Sequence, residues 1–149
     1  MESASDIRLA TAEDLPALLQ LYRHLSPEDP VLSLEDATAI FAQLSASPGN
    51  AVLVLEHAGQ LIASCVVIIT PNLSRGGRPF ALIENVVTHS DFRNQGFGKQ
   101  ILDAACARAW EAGCYKVMLM TGSKRPETLG FYTSAGFKQN KTGFQKRNL

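Results

Sequence analysis

The stretch that most constrains this chain is Val86-Val87-Thr88-His89-Ser90-Asp91-Phe92-Arg93-Asn94-Gln95-Gly96-Phe97-Gly98-Lys99. An apolar strand pattern runs into a polar turn with two glycines, and the turn opens an amphipathic helical pattern. The first N–H groups of a helix have no partner inside it, and the helix dipole adds partial positive charge there. Glycines let an anion approach that backbone without a Cβ in the way, and Arg93 and Lys99 add full charges beside it. The stretch therefore reads as a strand–loop–helix unit able to receive phosphate, with a plain strand-to-helix turn as the bland alternative. Two familiar phosphate loops do not fit. A Walker A loop needs Gly where Arg93 stands and Ser or Thr where Gln100 stands. A dinucleotide fingerprint needs Gly where Ile101 stands, and no acidic residue closes the following strand.

Charge is distributed in a way that suits such a loop. The 149 residues carry 14 Lys+Arg and 14 Asp+Glu, a net charge of zero. Residues 1–60 hold nine acids and two bases, whereas residues 61–149 hold twelve bases and five acids. The basic half contains the glycine turn, and charge asymmetry of this kind marks where an anion would sit. The bases are dispersed, without aromatic interleaving or a helix-turn-helix signal, so no nucleic-acid partner is expected. No apolar run reaches 18 residues, and the start Met1-Glu2-Ser3 does not resemble a signal peptide, so a cytoplasmic protein without membrane attachment is expected. Cys65, Cys106 and Cys114 form no C-x-x-C pair and read as buried free thiols; His24, His57 and His89 form no H-x-x-x-H pair, so no metal is expected.

The length suits one domain, spanning residues 1–149. Periodicity predicts a strand over 7–10, then helices from Thr11 to about Leu25 and from Ser33 to about Ser45, each opened by an S/T-x-x-D cap. Strands follow over 51–57 and 61–70 around a turn at Ala58-Gly59-Gln60, then a mobile loop from Pro71 to Pro79 and a strand over 80–88. A helix from about Gly96 to Ala112 ends at Gly113; a strand over 115–120, a helix over 126–135 and a final strand over 137–146 complete the chain. The order β-α-α-β-β-β-α-β-α-β predicts a mixed α/β (α+β) fold, with a mixed, mostly antiparallel sheet and helices on both faces.

Arg93-Asn94-Gln95-Gly96-Phe97-Gly98 fits R-x-x-G-x-G and resembles the pyrophosphate loop of the GNAT superfamily of N-acetyltransferases. Gly130-Phe131-Tyr132-Thr133-Ser134-Ala135-Gly136-Phe137 resembles the F-Y-x-x-x-G-F signature of the same family, and the strand–loop–helix order agrees with it. Within the family, Ile83-Glu84-Asn85-Val86-Val87 and Cys114-Tyr115-Lys116-Val117 are similar to the small glucosamine 6-phosphate N-acetyltransferases, which usually have aspartate where Asn85 stands. The family's common asparagine, seven residues before the tyrosine, is replaced by Arg125.

The resemblance implies a GNAT fold splayed between strands four and five, acetyl-CoA as co-substrate, and no metal. It implies that the backbone of Val86, Val87 and Thr88 pairs with the pantetheine arm, with an amide near Val87 facing the thioester carbonyl. Arg93, Asn94, Gln95, Gly96, Phe97, Gly98 and Lys99 would hold the pyrophosphate. Tyr132 matches the tyrosine that protonates the leaving thiolate, with a half-buried core tyrosine as the alternative. Glu84 matches a carboxylate that takes the amine's proton; a solvated strand glutamate and His89 as base stay open. Strand alternation puts Glu84 with Val86 on one face, Asn85 with Val87 on the other. Arg125 either touches CoA or caps a helix. Arg75 and Arg78 either meet an anionic group on the acceptor or are solvated, while Glu28, Asp29, Glu35 and Asp36 either attract a cationic amine or favour a helix start.

The implied activity is direct transfer of acetyl to a primary amine of a small molecule. A protein or peptide amine as acceptor, and an acyl-CoA-binding module without turnover, are the alternatives. A homodimer is expected, with the basic C-terminal strand (Lys138, Lys141, Lys146, Arg147) near the partner.

Overall fold

A computed structural model describes residues 5–148. Its centre is a five-stranded sheet in the order β1-β2-β3-β4-β5, with β1 Ser5–Leu9, β2 Ala51–His57, β3 Gln60–Thr70, β4 Phe80–Thr88 and β5 Val117–Met118. The first four strands pair antiparallel and β5 pairs parallel to β4. The β2–β3 turn is tight because Ala58 and Gly59 both take positive φ, 50° and 78°, as a two-residue hairpin turn requires.

Alternation along β2 and β3 gives the sheet two apolar faces. Leu53, Leu55, Cys65, Val67, Ala81 and Ile83 lie under helix α3, Phe97–Glu111, which buries Phe97, Ile101, Leu102, Ala105 and Ala109 against them. Val52, Val54, Val66 and Val87 lie under α1, Leu15–Tyr22, through Leu15, Leu18 and Leu21, with Ala37 from α2, Leu34–Ala46. Helices therefore cover both faces, as the element order requires. The Ser33 cap of α2 forms, its hydroxyl accepting from Asp36 N–H at 3.1 Å. Before α1, Thr11 N–H donates to the Asp14 carboxylate at 2.8 Å over one 3-10 turn, and the α-helix is shorter than its periodicity predicts.

Three expectations are corrected. The strand expected over 115–120 is reduced to Val117–Met118, because Tyr115 N–H and Lys116 C=O tie to Pro79 and Ala81 and the chain then leaves β4. The strand expected over 137–146 does not form: only Phe137 and Phe144 in it are large and apolar, and a two-residue β5 offers almost no edge to pair with. The 71–79 loop is tied down rather than loose. Asn72 Nδ2 donates to Ser74 C=O and Arg78 C=O, and Arg78 donates to Gly113 C=O and Cys114 C=O at 3.3 and 3.2 Å.

Candidate active site

β4 carries two irregularities that together open the sheet. It pairs with β5 only at Ala81↔Val117 and Leu82↔Met118, so Ile83 to Thr88 have no β5 partner on that edge. Opposite β3 the register steps from Val66↔Glu84 to Ser64↔Val87, a bulge that sets Asn85 and Val86 against Cys65. Asn85 supplies the bend with φ 52°, a left-handed conformation that Asn tolerates better than any β-branched residue.

The bulge corrects the side-chain alternation expected from the sequence. Val86 packs on the α3 core, and Val87 is buried in the α1 core. Glu84 is the cross-strand partner of Val66 and so shares the α1 face with Val87, not with Val86. Its side chain is exposed there, with no hydrogen-bond or ion-pair partner among the described residues.

Beyond β4 the loop 89–96 is shaped by its own hydrogen bonds. Asp91 N–H donates to His89 Nδ1 at 3.1 Å, Gln95 Nε2 to Asp91 C=O at 3.3 Å, and Arg93 Nε to Thr88 C=O at 3.2 Å. Asn94 and Gly96 are both left-handed, φ 62° and 85°. The first helical backbone bond runs from Gln100 N–H to Gly96 C=O at 3.1 Å, so the amides of Phe97, Gly98 and Lys99 are the free donors of a helix start. The two cations expected beside an anion have partners already. Arg93 is the loop's internal brace, and Lys99 Nζ lies 3.0 Å from Asp103 Oδ2 one turn along the helix.

The two glycines of the loop serve different ends. Gly96 caps the helix at positive φ with nothing within 4 Å of where a Cβ would be. At Gly98 a Cβ would lie 2.9 Å from Phe131 Cζ and 3.3 Å from Thr88 Oγ1. Its bareness therefore admits the Phe131 ring, joining the glycine loop to the Phe131-Tyr132 segment that lies 33 residues on in sequence.

That segment is α4, Pro126–Ser134, started by proline at its first position. Tyr132 is half-buried against the α3 core, with ring centroids 5.0 Å from Phe131 and 6.4 Å from Phe137. Burial pushes its hydroxyl above the ordinary tyrosine value, so it is protonated throughout the neutral range and available as a donor.

The remaining candidates fall elsewhere. Arg125 precedes α4 with its Nε 3.6 Å from Glu127 in an exposed pair. Arg78 is committed to carbonyls at the end of α3, and the Arg75 guanidinium lies 5.5 Å from the Tyr115 ring. Glu35 and Asp36 occupy the first turn of α2. His89 caps the 3-10 turn Ser90–Phe92 and stacks on His24. Cys65 and Cys114 are buried and free, burial pushing the Cys65 thiol up to about 12, while Cys106 is only half-buried. Among the described residues no helix is long and apolar enough to cross a membrane. Periodicity missed the bulge, the Gly98–Phe131 contact and the histidine stack. The polar pair Glu84-Asn85 between the apolar runs of β4 is the one signal of the first.

Comparison with known proteins bears on the family and the fold. The acetyltransferase (GNAT) family model matches residues 17–137. A glucosamine 6-phosphate N-acetyltransferase of Trypanosoma brucei brucei is 31% identical over 133 residues, covering 89% of this chain and 88% of that protein. Glucosamine 6-phosphate N-acetyltransferase 1 of Oryza sativa subsp. japonica is 33% identical over 132 residues, covering 87% and 78%. A solved structure from Agrobacterium tumefaciens, whose acetyltransferase assignment is provisional, superposes with a TM-score of 0.91 at 46% identity, covering 96% of this chain and 99% of that one.

Proposed function

The chain belongs to the GNAT acetyltransferase family, and from that membership we propose that it transfers the acetyl group of acetyl-CoA to the primary amine of a small phosphorylated aminosugar. The observation that carries the reading is the unpaired edge of β4 from Ile83 to Thr88, which the 89–96 loop joins to the open amides at the start of α3. An extended pantetheine arm would pair with that edge as a strand would, and the diphosphate would meet the amides from Gln95 to Lys99. The aminosugar rests on the two relatives named for that substrate.

The amine nitrogen would attack the thioester carbonyl carbon from the α1 face, where Glu84 is exposed. A backbone amide near Val87 would meet the carbonyl oxygen as negative charge develops on it. Glu84 would take the proton that the amine loses, directly or through water. The C–S bond then breaks, and the Tyr132 hydroxyl would give its own proton to the departing thiolate, the tyrosinate regaining one from solvent. Burial keeps the Tyr132 hydroxyl protonated but also makes it a weaker acid, so the transfer requires it close to the sulfur. The same reading includes a cytoplasmic protein with three free thiols, and a homodimer. Phe144, 92% exposed in the strandless 138–148 segment, gives a second copy an apolar group to cover.

The test is a thiol-release assay over aminosugar phosphates, polyamines, amino acids and peptide N-termini, with calorimetric titration of acetyl-CoA. Tyr132→Phe and Glu84→Gln should each lower kcat about 10²-fold with acetyl-CoA affinity kept, the usual size of a lost acid or base. Micromolar binding without turnover on any amine would instead make the chain a binding module. Unchanged rates in both variants would refute the assigned chemistry.

A further inference from the structure

His24 lies just beyond the C-terminal end of α1, on the opposite side of the sheet from α3, yet it holds the loop that precedes α3 at three points. Ser90 N–H donates to its Nδ1 at 3.3 Å, the Arg93 guanidinium donates to its carbonyl at 3.2 Å, and its ring lies 4.1 Å from that of His89. His89 in turn uses its own Nδ1 to accept Asp91 N–H at 3.1 Å. Both donors are backbone amides, so both Nδ1 atoms must be unprotonated acceptors, and an imidazolium has no acceptor to offer. Arg93 adds a fixed positive charge beside the pair.

We propose that neutral His24 is a positioning residue that latches α1 to the 89–96 loop, and that its protonation releases the loop and weakens acetyl-CoA binding. This rests on the assignment of that loop to the cofactor. A proton on His24 removes the Ser90 bond and brings a cation against Arg93 and the His89 ring. Burial first, then His89 and Arg93, hold the His24 imidazole below its ordinary value, and Asp91 opposes them. The other charges facing it line the open cavity of about 520 Å³ beside α1, namely Glu13, Asp14 and Glu56. Asp14 and Glu56 are engaged by Arg8, which limits their pull on an imidazolium. Since the folded form resists the proton, the latch is complete above the ordinary histidine value near ~6.5 and is lost progressively as pH falls below it.

His24→Asn keeps a side-chain acceptor for Ser90 without a titrating group, and His24→Ala removes the acceptor. Hydrogen exchange of the 88–96 segment, corrected for intrinsic rates between pH 5 and 8, reads the latch in the absence of any ligand. At the Ser90 amide, the one bonded to His24, wild-type protection should fall about tenfold below pH 6.5, His24→Asn should stay flat, and His24→Ala should be unprotected at every pH. Any change at Asp91, bonded to His89, should be common to all three. Acetyl-CoA titration at pH 7.5 should show about fivefold weaker binding for His24→Ala, one hydrogen bond's worth, and His24→Asn within about twofold of wild type. Below pH 6.5 the wild type should lose affinity relative to His24→Asn, and the cofactor's own phosphate titration is common to both. Identical exchange profiles for wild type and His24→Asn would overturn the latch. A wild type that shows the exchange change but binds no acetyl-CoA would overturn the cofactor assignment and leave the latch standing.

Discussion

The two faces of the sheet are covered with unequal thoroughness. On one side α3 lays five fully or nearly buried apolar side chains, from Phe97 to Ala109, across β2, β3 and β4, and the buried Gly98 lets α4 lock onto it through Phe131. On the other side α1 buries three leucines, but α2 buries only Ala37 and leaves Leu34 and Ile40 half exposed. Close packing fixes position, because a tightly filled interface has few alternative arrangements. The face carrying the helix that the 89–96 loop opens is the close-packed one, and the face where Glu84 opens to solvent is the looser one. On the proposed function this division has a use: a diphosphate has one shape whatever the acceptor, so a rigid cradle would suit it, while the acceptor side would have to admit and release a second substrate.

The largest effect should come from breaking the close-packed face where it is tightest. Gly98→Val forces side-chain atoms against Phe131 Cζ, 2.9 Å from the position of a Cβ, with Thr88 Oγ1 behind it. Overpacking of this kind costs about 1–3 kcal/mol, partly offset by the better helix propensity of valine over glycine. Thermal unfolding should register the upper part of that range, and acetyl-CoA affinity should drop at least tenfold because the loop moves with the helix. Gly98→Val with Phe131→Ala should recover part of both losses. A single variant with unchanged melting and affinity would show that the α3 face is no more rigid than the other.

The seam between the faces offers a second, smaller test. Asn85 sits at φ 52° where the bulge rotates the strand, so Asn85→Val should cost about 1–2 kcal/mol of stability, whereas Asn85→Gly should be close to neutral. Acetyl transfer should fall more than stability in Asn85→Val if the bulge is what sets Glu84 and Val86 on opposite faces. Equal stability of the valine and glycine variants by urea titration would remove the bulge's conformational demand as an explanation.

How much of this was legible beforehand follows from the kind of interaction involved. β4, α3 and α4 were legible because each is delimited by local chemistry: an apolar run, a glycine turn, a proline start. The helix expected to Leu25 runs past the end of α1 because apolar periodicity continues beyond the helix, and the expected final strand has too few apolar residues to hold it. Phe137 and Phe144 have a strand's residues nearby but no β5 edge to pair with. The glycine motif was legible as a pattern and only half understood, since Gly98 answers to a ring 33 positions away. The facing of Glu84 was misjudged for a similar reason, because a single bulge inverts every side chain beyond it. Contacts made across the fold, such as His24 with Arg93, leave no local trace at all.

The smallest effect is expected on the looser face, at the start of α1. Arg8 on β1 holds Asp14 with two bonds, 2.6 and 2.9 Å, and reaches Glu56 on β2 at 3.5 Å. The same carboxylate accepts Thr11 N–H, so one side chain joins β1 to the entry of the helix. The Arg8 bonds, with Thr11 helping, hold Asp14 down at about 2 from an ordinary 3.8. A depressed carboxylate stabilises the fold above its unfolded value and loses that contribution as pH falls through the folded one. Asp14→Asn should therefore lower stability by about 1 kcal/mol at pH 7, modest because the Arg8 side chain is 33% exposed and solvent screens the pair. Between about pH 4 and pH 2 the gap between wild type and variant should close, since the wild-type carboxylate becomes protonated there. Chemical denaturation at pH 7, 4 and 2.5 would measure it. A gap that stays constant across that range would mean that Asp14 acts on the helix entry as a neutral hydrogen-bonding group, and that α1 is held by its three buried leucines alone.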